Sequence, residues 1–190
     1  VSREDTGCVK YDLRKNVFGT GDVIPMWVAD MDFKTPDFII SALEKRLKHE
    51  IMGYSFHPHE YFSSISSWLR KRHKWDVEDE WISFCPGVVP ALNLCTLAFT
   101  RPGDSVIIQP PVYTPFFTAV ENHGRNLIFN QLKESDGKWT MDFDSLAASV
   151  TPVTKMIIIS NPHNPVGRSW TPDELTSLAD ICIKNNILLL

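Results

Sequence analysis

The stretch KMIIISNPHNPVG, Lys155 to Gly167, constrains the fold of this chain more than any other. Its first part, Met156 to Ile159, is a β-branched apolar run bounded by turn residues, the pattern of a strand buried on both faces. The segment from Ser160 to Gly167 can be neither strand nor helix. Pro162 and Pro165 each lack a backbone donor and push Asn161 and Asn164 toward extended or turn geometry, so two carboxamides are presented just past the carboxyl end of a buried strand. In open α/β sheets, ligands bind at that edge.

The rest of the chain is consistent with such a sheet. At 190 residues, 43% hydrophobic and 22% charged, it has enough apolar material for a real core. Ser105 to Gln109, Arg125 to Phe129 and Ile187 to Leu190 read as further strands, and Trp81 to Cys85 as a short one. Helical spacing follows Thr35-Pro36-Asp37 through Phe38, Ile39, Ala42, Leu43 and Leu47, with Thr35 as the capping residue and Pro36 at the first helical position. It returns from His59 to His73, after Pro90, after Thr114-Pro115, and from Met141 to Ser149. It returns again after Thr171-Pro172-Asp173-Glu174, a capping box whose helix runs through Leu175, Leu178, Ala179 and Ile183. Asp136-Gly137 marks a turn.

Composition excludes several functions. The net charge is −4 and the basic residues are scattered, the densest run being Arg70 to Lys74 at a helix end. A nucleic-acid surface needs a basic face, so no nucleic acid is expected. Cys8, Cys85, Cys95 and Cys182 form no CxxC pair, which argues against structural zinc and for unpaired thiols in a reducing, cytoplasmic compartment, with Cys85 and Cys182 in the core. His57, His59 and His73 have no carboxylate or thiolate partner at ligand spacing, so no metal is predicted. No stretch reaches the roughly eighteen apolar residues of a membrane span, and no membrane is expected.

Two more loops carry chemistry. In PGVVPAL, the Cys85 strand runs through Gly87 into a helix, so the amides of Gly87, Val88 and Val89 would point at a bound phosphate with the helix dipole behind them. The same string also describes an ordinary strand-to-helix turn, and the GxxxxGK and GxGxxG nucleotide patterns are missing. In QPPVYTPFF, Tyr113 lies just beyond a strand's carboxyl end. Three loops on one side of one sheet thus offer phosphate donors, an aromatic face and paired amides, the equipment for a flat phosphorylated heteroaromatic. At the other end of the chain, residues 1–24 are polar and irregular, an arm. PMWVADMDF, Pro25 to Phe33, reads as a loop packed near a site or as a surface turn anchored by a tryptophan.

Taken in order, PMWVADMDF, GYSFHPHEYF, PGVVPAL, QPPVYTPFF and SNPHNPVGRSW closely resemble the cystathionine β-lyase-like (MalY/PatB) C–S lyases of the class I/II aminotransferase superfamily, from about Val9 to Leu190. The resemblance implies a fold-type I, three-layer α/β/α large domain of the aspartate aminotransferase-like kind. Residues 1–48 would be an N-terminal arm and small-domain segment, and residues 49–190 the front part of the cofactor domain. It implies pyridoxal 5′-phosphate as cofactor, with Asn164 donating to the phenolic oxygen, Tyr113 stacked on the pyridine ring, and Gly87, Val88 and Val89 holding the phosphate. Tyr54 would reach the phosphate of the neighbouring subunit's cofactor in a homodimer, and Trp27 and Ala29 would border an amino-acid substrate.

In this family the Schiff-base lysine, the aspartate on the pyridine nitrogen and the arginine on the substrate carboxylate lie later in the chain. None of the lysines here matches, so the sequence reads as the front half of an enzyme, inactive alone. The expected reaction is β-elimination to a thiol, pyruvate and ammonia. Two alternatives stay open: an aminotransferase, which shares the first half of the chemistry, and a non-catalytic dimerisation or binding module.

Overall fold

The structure, a computed structural model, describes residues 2–190. It divides into two compact units, one ending at Ile65 and one running from Ser66 to Leu190.

The first unit holds short helices α1 (Val9–Asp12) and α2 (Arg14–Phe18), a longer α3 (Asp37–Leu47), and the opening turns of α4 (His59–His73). Helix α3 differs from expectation at its start. Pro36 is the capping position, with ψ 139°, and its carbonyl accepts from the Ile39 and Ile40 amides at 3.0 and 3.3 Å. Thr35 therefore lies outside the helix, and no side chain caps the first turn. A cap must immediately precede the first helical residue for its oxygen to reach the amides of the first turn.

The second unit passes through a 3₁₀ turn at Asp79–Trp81. Its later elements are α5 (Val88–Phe99), β1 (Ser105–Ile108), α6 (Pro115–Glu121), β2 (Asn126–Phe129), β3 (Lys133–Ser135) and β4 (Lys138–Thr140). Then come α7 (Phe143–Ser149), β5 (Thr154–Ile158), α8 (Pro172–Asn185) and β6 (Leu188–Leu189). The main sheet has the order β2-β1-β5-β6 with every pair parallel, while β3 and β4 form an antiparallel hairpin around Asp136-Gly137.

Alternation along the two central strands builds both cores, because successive side chains leave a strand on opposite faces. Val106, Ile108, Met156 and Ile158 pack with Leu92 of α5 and with Phe116, Ala119 and Val120 of α6. Ile107 and Ile157 pack on the other side with Leu146 of α7 and with Leu178 and Cys182 of α8. The result is helix, sheet, helix, the three-layer architecture that the family resemblance implies.

The connections fix where a ligand can enter. From β1 the chain passes through α6 to β2 on one side, and from β5 through α8 to β6 on the other. Chain direction across the sheet therefore reverses between β1 and β5, which leaves a crevice at their carboxyl ends.

Three local expectations give way. Trp81 to Cys85 is not a strand: Ile82 is extended (φ −93°, ψ 119°) but joins no ladder, and Trp81 and Phe84 are exposed. Extended backbone becomes sheet only beside a partner. Thr114 precedes α6 in helical geometry (φ −50°, ψ −38°) and makes no capping bond, although Pro115 opens the helix as predicted. Of the two cysteines expected in the core, Cys182 is buried and Cys85 only half-buried. Helix α8 runs through Ile183 as expected and buries Leu178 and Cys182.

Candidate functional site

Helix α5 begins at a glycine for a physical reason. Gly87 has φ 136° and ψ 164°, a conformation a side chain would strain, and a Cβ there would meet only Pro90, its Cδ at 3.6 Å. The torsion rather than crowding demands glycine. The first helical bond runs from the Ala91 amide to the Gly87 carbonyl at 3.1 Å. The Val88 and Val89 amides precede any carbonyl they could bond within the helix, and Pro90 has none, so the positive end of a 12-residue helix presents free donors.

Beyond β1, buried Gln109 leads through two prolines to Tyr113, whose carbonyl accepts from the Phe116 amide at 3.0 Å. The two rings meet edge to face at 6.1 Å. Beyond β5, the two asparagines diverge. Asn161 Oδ1 accepts from the Trp170 amide at 3.0 Å, so its carboxamide holds the loop. Among the described residues the Asn164 carboxamide makes no hydrogen bond, while its backbone amide donates to Ser160 Oγ at 3.3 Å. Asn161 spends its oxygen on the loop, whereas the whole Asn164 carboxamide is unengaged and lines a cavity.

Val88, Tyr113 and Asn164 line one cavity of about 330 Å³, together with Leu92, Cys95 and Phe116. The cavity opens at the reversal point between β1 and β5. Gly87 and Val89 flank Val88 on the same turn. The arrangement can receive a flat, apolar-faced ring with an anionic group toward α5 and a hydrogen-bond acceptor toward Asn164. Sequence reading overlooked the apolar wall, although its signal was present. Leu92 and Cys95 recur at helical spacing from Val88, and Phe116 lies three residues beyond Tyr113.

Trp27, Ala29 and Tyr54 belong to the first unit. Ala29 and Tyr54 are exposed. Trp27 donates from Nε1 to the Lys10 carbonyl at 3.1 Å and meets Phe18 edge to face at 5.7 Å. The loop that carries it is clasped by charge. Asp32 accepts from Lys10 Nζ at 2.9 Å, from Arg3 at 2.9 Å and from the Tyr11 hydroxyl at 3.1 Å. Lys10 Nζ also donates to the Asp30 carbonyl at 3.0 Å, and Arg3 pairs with the Asp30 carboxylate.

These donors, Lys10 first and then Arg3, hold the Asp32 carboxyl down to about 2 from its ordinary 3.8. A depressed carboxyl stabilises the folded arm fully above its ordinary value, and that contribution disappears as pH falls through the depressed one. The clasp should therefore hold from neutral pH down to about pH 4 and open between about pH 4 and about pH 2. Amide exchange over residues 3–32, corrected for intrinsic rates, reads this directly. Asp32→Asn should raise exchange there already at pH 7, and equal protection in variant and parent would refute the clasp.

Among the described residues no group of three or more His, Cys, Asp or Glu side chains could hold a metal, and no helix is long and apolar enough to cross a membrane.

Residues 21–190 match the family Aminotransferase class I and II. The chain is 44% identical over 186 residues to cystathionine beta-lyase PatB of Bacillus subtilis, a match that covers 97% of this chain and 48% of that protein. Two solved structures are similar over the whole chain. Cystalysin from Treponema denticola, which contains a pyridoxal 5′-phosphate cofactor, superposes with a TM-score of 0.93 at 41% identity over 49% of its own length. The PLP-bound C-S lyase from Staphylococcus hominis gives 0.90 at 32% identity over 48% of its length. The chain spans about half the length of the curated relatives it matches. With a parallel sheet reversing at β1 and β5, three loops converging there, and a match over residues 21–190, this chain belongs to the class I and II aminotransferase family.

Proposed function

We propose that the protein to which this chain contributes is a pyridoxal 5′-phosphate-dependent C–S β-lyase of the cystathionine β-lyase type. It would cleave an amino-acid substrate to a thiol, pyruvate and ammonia. The observation that carries this reading is the convergence of Val88, Tyr113 and Asn164, from three separate loops, on one cavity. The likeness to PatB and cystalysin supports the lyase outcome.

The donor set fits the cofactor. Free amides at Val88 and Val89 suit its phosphate, the Tyr113 ring its pyridine face, and the unengaged Asn164 carboxamide its phenolic oxygen. When bound, the cofactor draws electrons from the substrate's α-carbon so that its proton can leave. The residues of this chain bind and orient. The Gly87 turn anchors one end, Tyr113 covers a ring face against water, and Asn164 holds hydrogen-bonded charge on the phenolic oxygen. Trp27 and Ala29 are assigned to the substrate border.

Residues 1–48 act as arm and small-domain segment and residues 49–190 as part of the cofactor domain. Tyr54, fully exposed in a single copy, would contact the phosphate held by a second copy, so that a homodimer completes each site. Four free cysteines support a reducing cytoplasmic setting.

The test is an absorbance spectrum of the whole protein with pyridoxal 5′-phosphate, before and after borohydride, followed by L-cystathionine and a pyruvate assay. A reducible visible band with pyruvate release is expected. A band without pyruvate would favour an aminotransferase, the second activity of the same family. No band would leave a cofactor-free binding module.

A further inference from the structure

His163 lies between the two Asn-Pro pairs, is 1% exposed, and has no part in the chemistry proposed for the site. Its ring Nε2 is 3.0 Å from the Pro111 carbonyl, 52 residues away in sequence and two before Tyr113. A carbonyl only accepts, so Nε2 carries the proton and donates. Burial pushes the ring's pKa down, which keeps it neutral with a single donor.

The other nitrogen, Nδ1, is buried and makes no hydrogen bond among the described residues. An unpaired buried polar atom costs free energy that an apolar ring of similar size would avoid. What histidine supplies in return is the bond to Pro111. Around it the Asn164 loop is closed on itself. The His163 amide donates to the Arg168 carbonyl, and the Gly167 amide to the His163 carbonyl, each at 2.7 Å. The imidazole meets the Trp170 ring at 5.2 Å, and Trp170 Nε1 donates to the Ser160 carbonyl at 3.2 Å. The loop is a closed body, and the Nε2 bond ties it to the neighbouring loop.

We propose that His163 is a positioning residue: through Nε2 it ties the loop carrying Asn164 to the loop carrying Tyr113 and so sets the spacing of those two groups across the cavity. Its consequence for the cofactor rests on the function proposed above; the tether itself does not.

Two polar variants of the whole protein separate the tether from mere packing. In His163→Gln the amide nitrogen reaches about as far as Nε2, whereas in His163→Asn it stops near Nδ1. Hydrogen exchange in the cofactor-free protein should quicken at residues 112–114 and 163–168 in His163→Asn and stay near parental in His163→Gln. Equilibrium dialysis should show pyridoxal 5′-phosphate held about tenfold more weakly by His163→Asn, with altered visible circular dichroism, and within about twofold of parent by His163→Gln. Equal behaviour of the two variants, whether both parental, both impaired or both unfolded, would overturn the proposal. A parent that binds no pyridoxal 5′-phosphate would instead defeat the functional reading, and the exchange measurement would still decide the tether.

Discussion

Truncating Ile158 to alanine is expected to destabilise the protein by about 2–5 kcal/mol, the range for removing an aliphatic side chain from a packed core. Ile158 is fully buried on the face of β5 that packs with Leu92 and Phe116, and both of those residues also line the cavity. The void would open directly beneath the site, so weaker cofactor retention should accompany the loss of stability. Lys155→Ala, on the same strand but at an exposed position, should change stability by no more than about 0.5 kcal/mol. Denaturant unfolding of the whole protein measures both. A small change at Ile158 would mean that this core is loose enough to collapse around the gap.

The largest functional effect should come from Asn164→Ala. A donor on the phenolic oxygen would stabilise its anion and draw electron density from the amine nitrogen joined to the cofactor's carbonyl carbon, easing loss of that nitrogen's proton. Without the donor the nitrogen keeps its proton to higher pH. The visible titration of the bound cofactor should therefore move upward by about 1 to 2 pKa units, the scale of one hydrogen bond to a charged group. Asn161→Ala is the internal comparison. Its carboxamide serves Trp170, so it should lower stability and leave the titration where it was. An unmoved titration in Asn164→Ala would remove that residue from the cofactor.

Much of the fold and of the site is legible in the sequence alone. The Met156 run, the Gly87 turn and the Thr171 box are local signals, each set by torsional preference or by short-range hydrogen bonding. The box forms as read, with Thr171 Oγ1 accepting from the Glu174 amide at 3.2 Å and Glu174 accepting from the Thr171 amide at 2.8 Å. The departures have a local cause in one case and a non-local one in the other. Trp81 to Cys85 has strand composition but joins no ladder among the described residues, and Thr35 is a good cap that lies one residue before the capping position. Composition states what a segment can do, and partners decide what it does.

By itself the sequence determined an open α/β sheet, the three loops, and the residue types that face a ligand there, because apolar runs, proline and glycine act over a few residues. Only the tertiary structure decided that β1 and β5 lie side by side with the chain diverging between them, which turns three loops into one cavity. It also decided which asparagine ties its oxygen to the loop and which lines the cavity, and that His163 bridges 52 residues to Pro111. Those outcomes depend on contacts between segments far apart in the chain, and the free energy of such a contact exists only once both segments have been brought together.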